Sequence, residues 1–256
     1  MIGAAMGASA AAVVALLLIT FAISVPLADV SIVDISWGLA FVTAGWVAAA
    51  VAGGDPDRTR LMLVMVTLWG GRLAAYIALR KTKHPGEDPR YTAMRKRADN
   101  FVLVSLFKVF LLQAVLAWIV SLPLIAIAAC DDHGLGPLAY AGVGLWAVGL
   151  FFETVGDAQM SRYKADPANK GTVMDSGLWR YTRHPNYFGD FCVWWGLFAL
   201  GLDAGGWWAF ASPLIMSALL MRVSGKGLLE KNMAGRPGYQ EYVARTSGFF
   251  PLPPRR

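Results

Sequence analysis

Charge is scarce in this chain: Asp, Glu, Lys and Arg make up 16% of its 256 residues, whereas soluble domains carry about 25%. With 56% hydrophobic residues and a mean hydropathy of +0.48, that shortage excludes an ordinary water-soluble globular protein. Cysteine is nearly missing. Cys130 and Cys192 are too few and too far apart for a disulfide framework or a thiolate metal site, and both are read as small apolar packing residues. His84 and His133 fall in different loops on opposite faces and His184 has no second His or Cys near it, so metal-ligand spacing is absent and no metal is expected. No Gly-x-Gly-x-x-Gly lies between a strand and a helix, which excludes a Rossmann domain, and there is neither a Walker loop nor a Ser nucleophile elbow. The alternating segments of about ten residues that mark a transmembrane β-barrel are lacking too. No Lys or Arg precedes the first apolar run, so the basic region of a cleaved signal peptide is missing. Residues 3–27 are therefore expected as a retained first helix.

What the chain has is apolar length. The first charged side chain is Asp29, and several later runs of about 20 residues are long enough to cross a hydrocarbon core. The hydropathy predicts an all-α, polytopic membrane protein with seven transmembrane helices near 3–27, 31–52, 61–79, 101–129, 136–157, 187–202 and 206–222, separated by Gly, Pro or charge clusters. Pro123 is expected to kink the fourth. No internal repeat is visible, and residues 1–256 read as a single integral-membrane domain.

The net charge of +6 finds its place in loops rather than on nucleic acid, which is not expected as a partner. The polar segments 80–99, 157–183 and 222–256 hold 19 of the 23 Lys and Arg residues. With seven helices all three fall on one face, and deletion of any one helix from the fourth to the seventh would divide them. Basic loops mark the cytoplasmic side, so the N-terminus is predicted outside and the C-terminus cytoplasmic. The 53–60 loop and the Asp131–Asp132 turn go to the opposite face. The basic face serves either as a headgroup-binding surface toward membrane lipids or as an anionic-ligand site.

The densest motif runs from Gly177 through Trp179, Arg183, His184, Pro185, Asn186 and Tyr187 to Asp190. Pro185 suits the first position of a helix, which puts Asn186 and Asp190 on one face, four apart. A carboxylate entering a membrane helix needs hydrogen-bond donors; ribose hydroxyls or a nicotinamide carboxamide would supply them, and pairing with Arg183 is the structural alternative. Glu153 and Asp157 repeat the spacing at the end of the fifth helix and require something between them, a sugar edge or an Arg. Arg162 and Lys164 follow, suited to phosphate. Between helices three and four, Glu87-Asp88-Pro89-Arg90-Tyr91 reads on spacing as a Pro-bearing turn opening a basic interfacial helix. In the second helix, Asp34 and Trp37 share a face near the cytoplasm, where Asp34 is either a desolvated proton donor or a structural partner of Arg72.

These residues, in this order and over nearly the whole chain, together with Gly238-Tyr239-Gln240-Glu241-Tyr242, resemble the membrane-embedded steroid 5α-reductase family, in particular its bacterial members. The resemblance implies an enzyme of the bacterial inner membrane that holds NADPH on its cytoplasmic side and reduces the C4–C5 double bond of a 3-oxo-4-ene steroid or similar enone. The hydrophobic substrate would enter from the bilayer. Loops 80–100 and 157–186 and the tail 223–256 would form the cofactor side. Asn186 and Asp190 look like the pair holding the nicotinamide-ribose half, with Asp157 doing similar work; Arg90, Tyr91, Glu153, Arg162, Lys164, Trp179, Arg183, His184 and Tyr187 complete the implied cofactor set. Glu153 stands where animal members have Asn. Near the substrate ketone, Asp34 and Trp37 replace a Gln-Glu pair, and Trp69 replaces a Tyr. The same pattern also resembles isoprenylcysteine and phospholipid methyltransferases, which implies S-adenosylmethionine as the alternative ligand. A transporter would instead spread polar residues along a midplane path with broken helices in paired repeats.

Overall fold

The computed structural model describes residues 1–83, 85–130, 134–223, 227, 230 and 233–255. His84, His133 and the Asp131–Asp132 turn lie outside the described residues. Among those described, the chain is helical with no β-strand, and it divides into two compact units, Met1–Gly136 with Gly201–Ala209, and Pro137–Leu200 with Phe210–Arg256.

In the first unit, α1 (Ile2–Leu27) is an uninterrupted apolar helix whose Thr20 and Ser24 hydroxyls donate to the Leu16 and Phe21 carbonyls of its own backbone, while the Ser9 hydroxyl donates to the Ala44 carbonyl. It ends at Ala28, which takes a left-handed conformation with φ 50°; the N–H groups of Ala28 and Asp29 then satisfy the last carbonyls. Asp29 accepts from the Ser31 N–H, which caps a short 3₁₀ turn, Val30–Ile32, leading into α2 (Val33–Ala52). α3 (Pro56–Lys83) returns alongside α2. Their backbones approach at Gly38 and Gly70, where a methyl on Gly38 would lie 2.5 Å from the Gly70 carbonyl oxygen. α4 (Pro89–Arg95) is capped by Asp88 and α5 (Phe101–Val120) by Asn100. α5 widens into a π-helical stretch at Leu106–Leu111, and the run breaks at Ser121, two residues before Pro123, to resume as α6 (Leu122–Ala128). The expected proline kink is there.

The end of this unit that holds Gly53–Arg58 is tied by a buried ion pair that the sequence does not announce. Arg58, 1% exposed, donates to Asp203 at 2.9 Å and to the Gly134 carbonyl, and the same Asp203 oxygen accepts from the Gly136 N–H.

In the second unit, α7 (Pro137–Ala165) packs along α8 (Pro185–Asp203) through two glycine pairs, Gly142 with Gly196 and Gly149 with Gly189. A methyl on any of the four would come within about 2.6 Å of the opposing carbonyl oxygen. Two residues every seventh position on antiparallel helices make a seam that admits backbone contact. A 3₁₀ turn, Trp207–Phe210, precedes α9 (Ala211–Ala218), which loosens into a π-helical end at Leu219–Val223. After α10 (Tyr239–Arg245) the chain is extended.

Among the described residues, five helices are long and apolar enough to cross a membrane: Ile2–Leu27, Val30–Ala52, Pro56–Lys83, Phe101–Val120 and Pro137–Ala165. The expected sixth and seventh are helical but do not meet that measure. α8 opens with Asn186, Tyr187 and Asp190, which dilute its hydropathy, and the 207–223 stretch is broken into three short pieces. α7 runs two turns beyond the predicted end at 157, so the polar segment after it begins as helix.

Candidate functional site

In the first unit the polar residues of the α1–α2 corner and the 85–95 segment form one network. Lys81, in the last turn of α3, reaches Asp29 at 2.6 Å, the Ser31 hydroxyl and the Gly86 carbonyl. Glu87 accepts the Val30 N–H at 3.0 Å and both arms of Arg95, and the Arg95 guanidinium lies 4.1 Å from the centre of the Phe101 ring. Burial alone would raise the Glu87 carboxyl, but Arg95 and the Val30 N–H hold it below the usual carboxylate range; Asp29 is likewise held down, against its burial, by Lys81 and Ser31.

That network seats α4 against the first turn of α2. Asp34, expected either as a free acid or as the partner of Arg72, is held instead by α4: Tyr91 donates its O–H to one carboxylate oxygen and Arg90 donates to the other, each at 2.8 Å. Asp88 shares the same guanidinium. The amide of Gln113, on α5, donates to the Tyr91 oxygen at 3.4 Å. Burial first, and then the Asp34 charge, drive the Tyr91 phenol well above its ordinary range, while the Asp88 and Asp34 carboxylates hold Arg90 charged against burial. The site therefore contains a neutral phenol between a carboxylate and an amide. Arg90 and Tyr91, assigned by resemblance to the cofactor, sit here with Asp34. Trp37 packs its ring edge-on to Phe41 at 5.2 Å, and Phe41 in turn packs on the fully buried Trp69.

In the second unit the Gly177–Asp190 motif is folded against α7 and the tail. The Trp179 ring donates to the Gly156 carbonyl at 3.1 Å, Gln159 accepts the Leu178 N–H, and the Tyr242 phenol donates to the Trp179 carbonyl at 2.6 Å. Arg183 gives two bonds to Glu230 and one each to the carbonyls of Val243 and Thr246. His184 lies 3.3 Å from the same Glu230 oxygen and stacks on Tyr187 at 5.4 Å. The Thr182 hydroxyl donates to the Phe249 carbonyl, and N–H groups link Arg183 to Ser247 and Leu252 to Tyr181. Phe249 and Phe250 complete the join by packing edge-on against Phe188 and Phe191 of α8. Arg183 and His184 thus bind the tail to the motif. Glu230, Gln159 and Gln113 were not singled out in the sequence, because nothing in local spacing links them to partners dozens of residues away.

The expected acids converge on one helix pair. Pro185 begins α8, with Asn186, Tyr187 and Asp190 half-buried in its first turns. Glu153 and Asp157, 3% and 7% exposed, stand on α7 beside them; a methyl on Gly189 would fall 2.7 Å from Glu153 Cγ, and one on Gly156 would lie 3.2 Å from Pro185. Asn186 accepts the Tyr187 N–H. Arg162 and Lys164 are on the exposed last turn of α7, not among these groups. The first turns of α8 and the facing turns of α7 thus bring Glu153, Asp157, Asn186, Tyr187 and Asp190 to one helix pair.

The family model described as Protein of unknown function (DUF1295) matches residues 20–246. An uncharacterized protein of Schizosaccharomyces pombe is 24% identical over 223 residues, covering 76% of this chain and 63% of that protein. The chain thus spans under two thirds of the length of that relative. No solved structure matches.

Proposed function

The chain belongs to the DUF1295 family, and on that footing we propose that it is an NADPH-dependent membrane reductase. It would reduce the C4–C5 double bond of a 3-oxo-4-ene steroid or a similar enone. The family is known to include steroid 5α-reductase-like proteins, and the ordered motifs of the sequence resemble theirs. In this reading seven helices span a bacterial inner membrane, the N-terminus lies outside, and the single domain carries its cofactor side on the cytoplasmic face. The observation that carries the chemistry is the Tyr91 phenol held between Asp34 and Gln113.

When bound, NADPH supplies the hydride that reaches the β-carbon of the enone. In the second unit Asn186, Asp190 and Asp157 would hold its ribose-nicotinamide half, with Glu153 as a further buried polar group and Tyr187 offering a ring face. Negative charge then develops on the substrate carbonyl oxygen, and a donor fixed beside it stabilises the transition state more than the ground state. Within the first unit Tyr91 is the group able to donate to such an oxygen, its O–H turning from Asp34 while Arg90 keeps the Asp34 carboxylate compensated. Asp34, accepting from two donors, is a positioning group, and the proton that reaches the α-carbon comes ultimately from solvent.

Purified protein in detergent is heated with NADPH, NADH or S-adenosylmethionine, then supplied with a 3-oxo-4-ene steroid. Selective stabilisation by NADPH and a product gaining H₂ support the reading; at a hundred times its dissociation constant a ligand adds about 2.7 kcal/mol. Stabilisation by S-adenosylmethionine with methyl transfer would replace it with the methyltransferase alternative.

A further inference from the structure

The second unit holds a hollow of about 420 Å³ that plays no part in the chemistry above. Three separate segments bring guanidinium groups to it: Arg180 from the 3₁₀ turn after Gly177, Arg245 from the last turn of α10, and Arg255 from the tail. The gathering is built by the fold. The Arg255 N–H donates to the Arg245 carbonyl at 2.9 Å, the Leu252 N–H to that of Tyr181 at 3.0 Å, and the Arg183 N–H to that of Ser247 at 2.9 Å. Gly177, with φ 59°, is pressed so closely on Gln159 that a methyl there would meet the amide at 2.5 Å. The hollow has one carboxylate, Asp175, which is paired with Arg245; neither Arg180 nor Arg255 has a side-chain partner among the described residues.

Three like charges converging on one space repel unless an anion sits among them. Asp175 neutralises one, which leaves an excess of two. We propose that this hollow binds an organic phosphomonoester, whose dianion carries about −1.5 to −2 charges near neutrality and whose oxygens match the planar fork of arginine. Asp175 holds the position meanwhile. Its pair with Arg245 is about half exposed, 45% and 50%, and such pairs are weak, so an incoming phosphate exchanges with it readily. The volume exceeds that of a bare phosphate ion and leaves room for part of the group that carries it. That phosphate could come from the adenosine 2′-phosphate end of NADPH, a source that rests on the reductase reading, or from a phosphatidic acid headgroup, which does not.

The test titrates the full chain in detergent with adenosine 2′-monophosphate, and with adenosine as the control. Wild type, Arg180→Ala, Arg255→Ala and the double variant are compared, with thermal unfolding checking that each is folded. Binding of the monophosphate but not of adenosine, weakened about tenfold by each substitution and more salt-sensitive in wild type than in the double variant, is the expected result. Loss of the preference for NADPH over NADH in the double variant identifies the cofactor as the source. Loss of co-sedimentation with phosphatidic acid vesicles, against phosphatidylcholine vesicles, identifies the lipid. If wild type binds neither nucleotide cofactor yet loses monophosphate or vesicle binding on double substitution, the pocket stands and the reductase reading falls. Folded double variant with unchanged affinity for monophosphate, NADPH and vesicles overturns the pocket and leaves the reductase reading intact.

Discussion

At the scale of single residues, the Asp34–Tyr91–Arg90 junction joins two stretches that the sequence separates by more than fifty positions. Asp34 accepts a phenol and a guanidinium together, which suits an ionised carboxylate, and Tyr91 is left as the neutral O–H donor. Tyr91→Phe keeps the ring and removes the donor. It is expected to lower kcat for a 3-oxo-4-ene steroid by roughly 10²-fold, the scale of losing one preorganised oxyanion donor, with NADPH affinity nearly unchanged; normal turnover would remove Tyr91 from the chemistry. Because burial and the neighbouring charge keep the phenol protonated, no alkaline limb of activity should arise from it near neutrality. Acid has a different target. Glu87 and Asp29 are held below their ordinary carboxyl ranges by Arg95 and Lys81, so the folded state takes up fewer protons than the unfolded chain as pH falls. Their contribution is complete above the ordinary carboxyl values, 4.5 and 3.8, and is lost as pH drops through the lower folded values. Limited proteolysis should therefore find the 85–97 segment increasingly cleavable as pH falls below about 4, with Glu87→Gln open at neutral pH.

At the scale of elements, the α7–α8 seam determines whether the acids of the two helices stand together. Gly149 and Gly189 place the helices in backbone contact one turn from Glu153, so any added side chain forces them apart. Gly189→Ala is expected to cost about 1–3 kcal/mol as an overpacked core does, read as a fall in thermal unfolding temperature in detergent. Gly144→Ala, on α7 with open space around it, should be neutral or slightly stabilising, as expected for alanine in a helix. An equal loss at both positions would show that helix propensity, not the seam, is being measured. The tail is the second such element. Phe249 and Phe250 on α8, with Arg183 bridging to α10, make the last turn of chain part of the motif's own packing.

At the scale of the whole molecule, the three basic segments are the basis of the proposed orientation. A single cysteine introduced at Ala168, in the exposed turn after α7, should be labelled by an impermeant maleimide only after the cells are opened. Labelling in intact cells would reverse the proposed orientation. The count of spans belongs to the same experiment, because parity of helices ties the N-terminus to this turn.

Hydropathy alone was enough to determine the helical class, five of the seven expected spans as long apolar helices and the break near Pro123, since these depend on local burial preference and on a missing backbone N–H. The Pro-bearing turn at Glu87–Tyr91 and the start of α8 at Pro185 were equally local. The partners were not. Arg183 reads as a cofactor ligand by resemblance or as the partner of Asp190, and its donors meet Glu230 and the carbonyls of Val243 and Thr246; Asp34 reads as a proton donor or the partner of Arg72, and α4 supplies both its donors. Side-chain pairing at long sequence separation carries no periodic signal, because it depends on where helices cross and loops return. Only the tertiary structure therefore decided which acids are held as carboxylates, which hydroxyl remains a donor, and where three arginines meet.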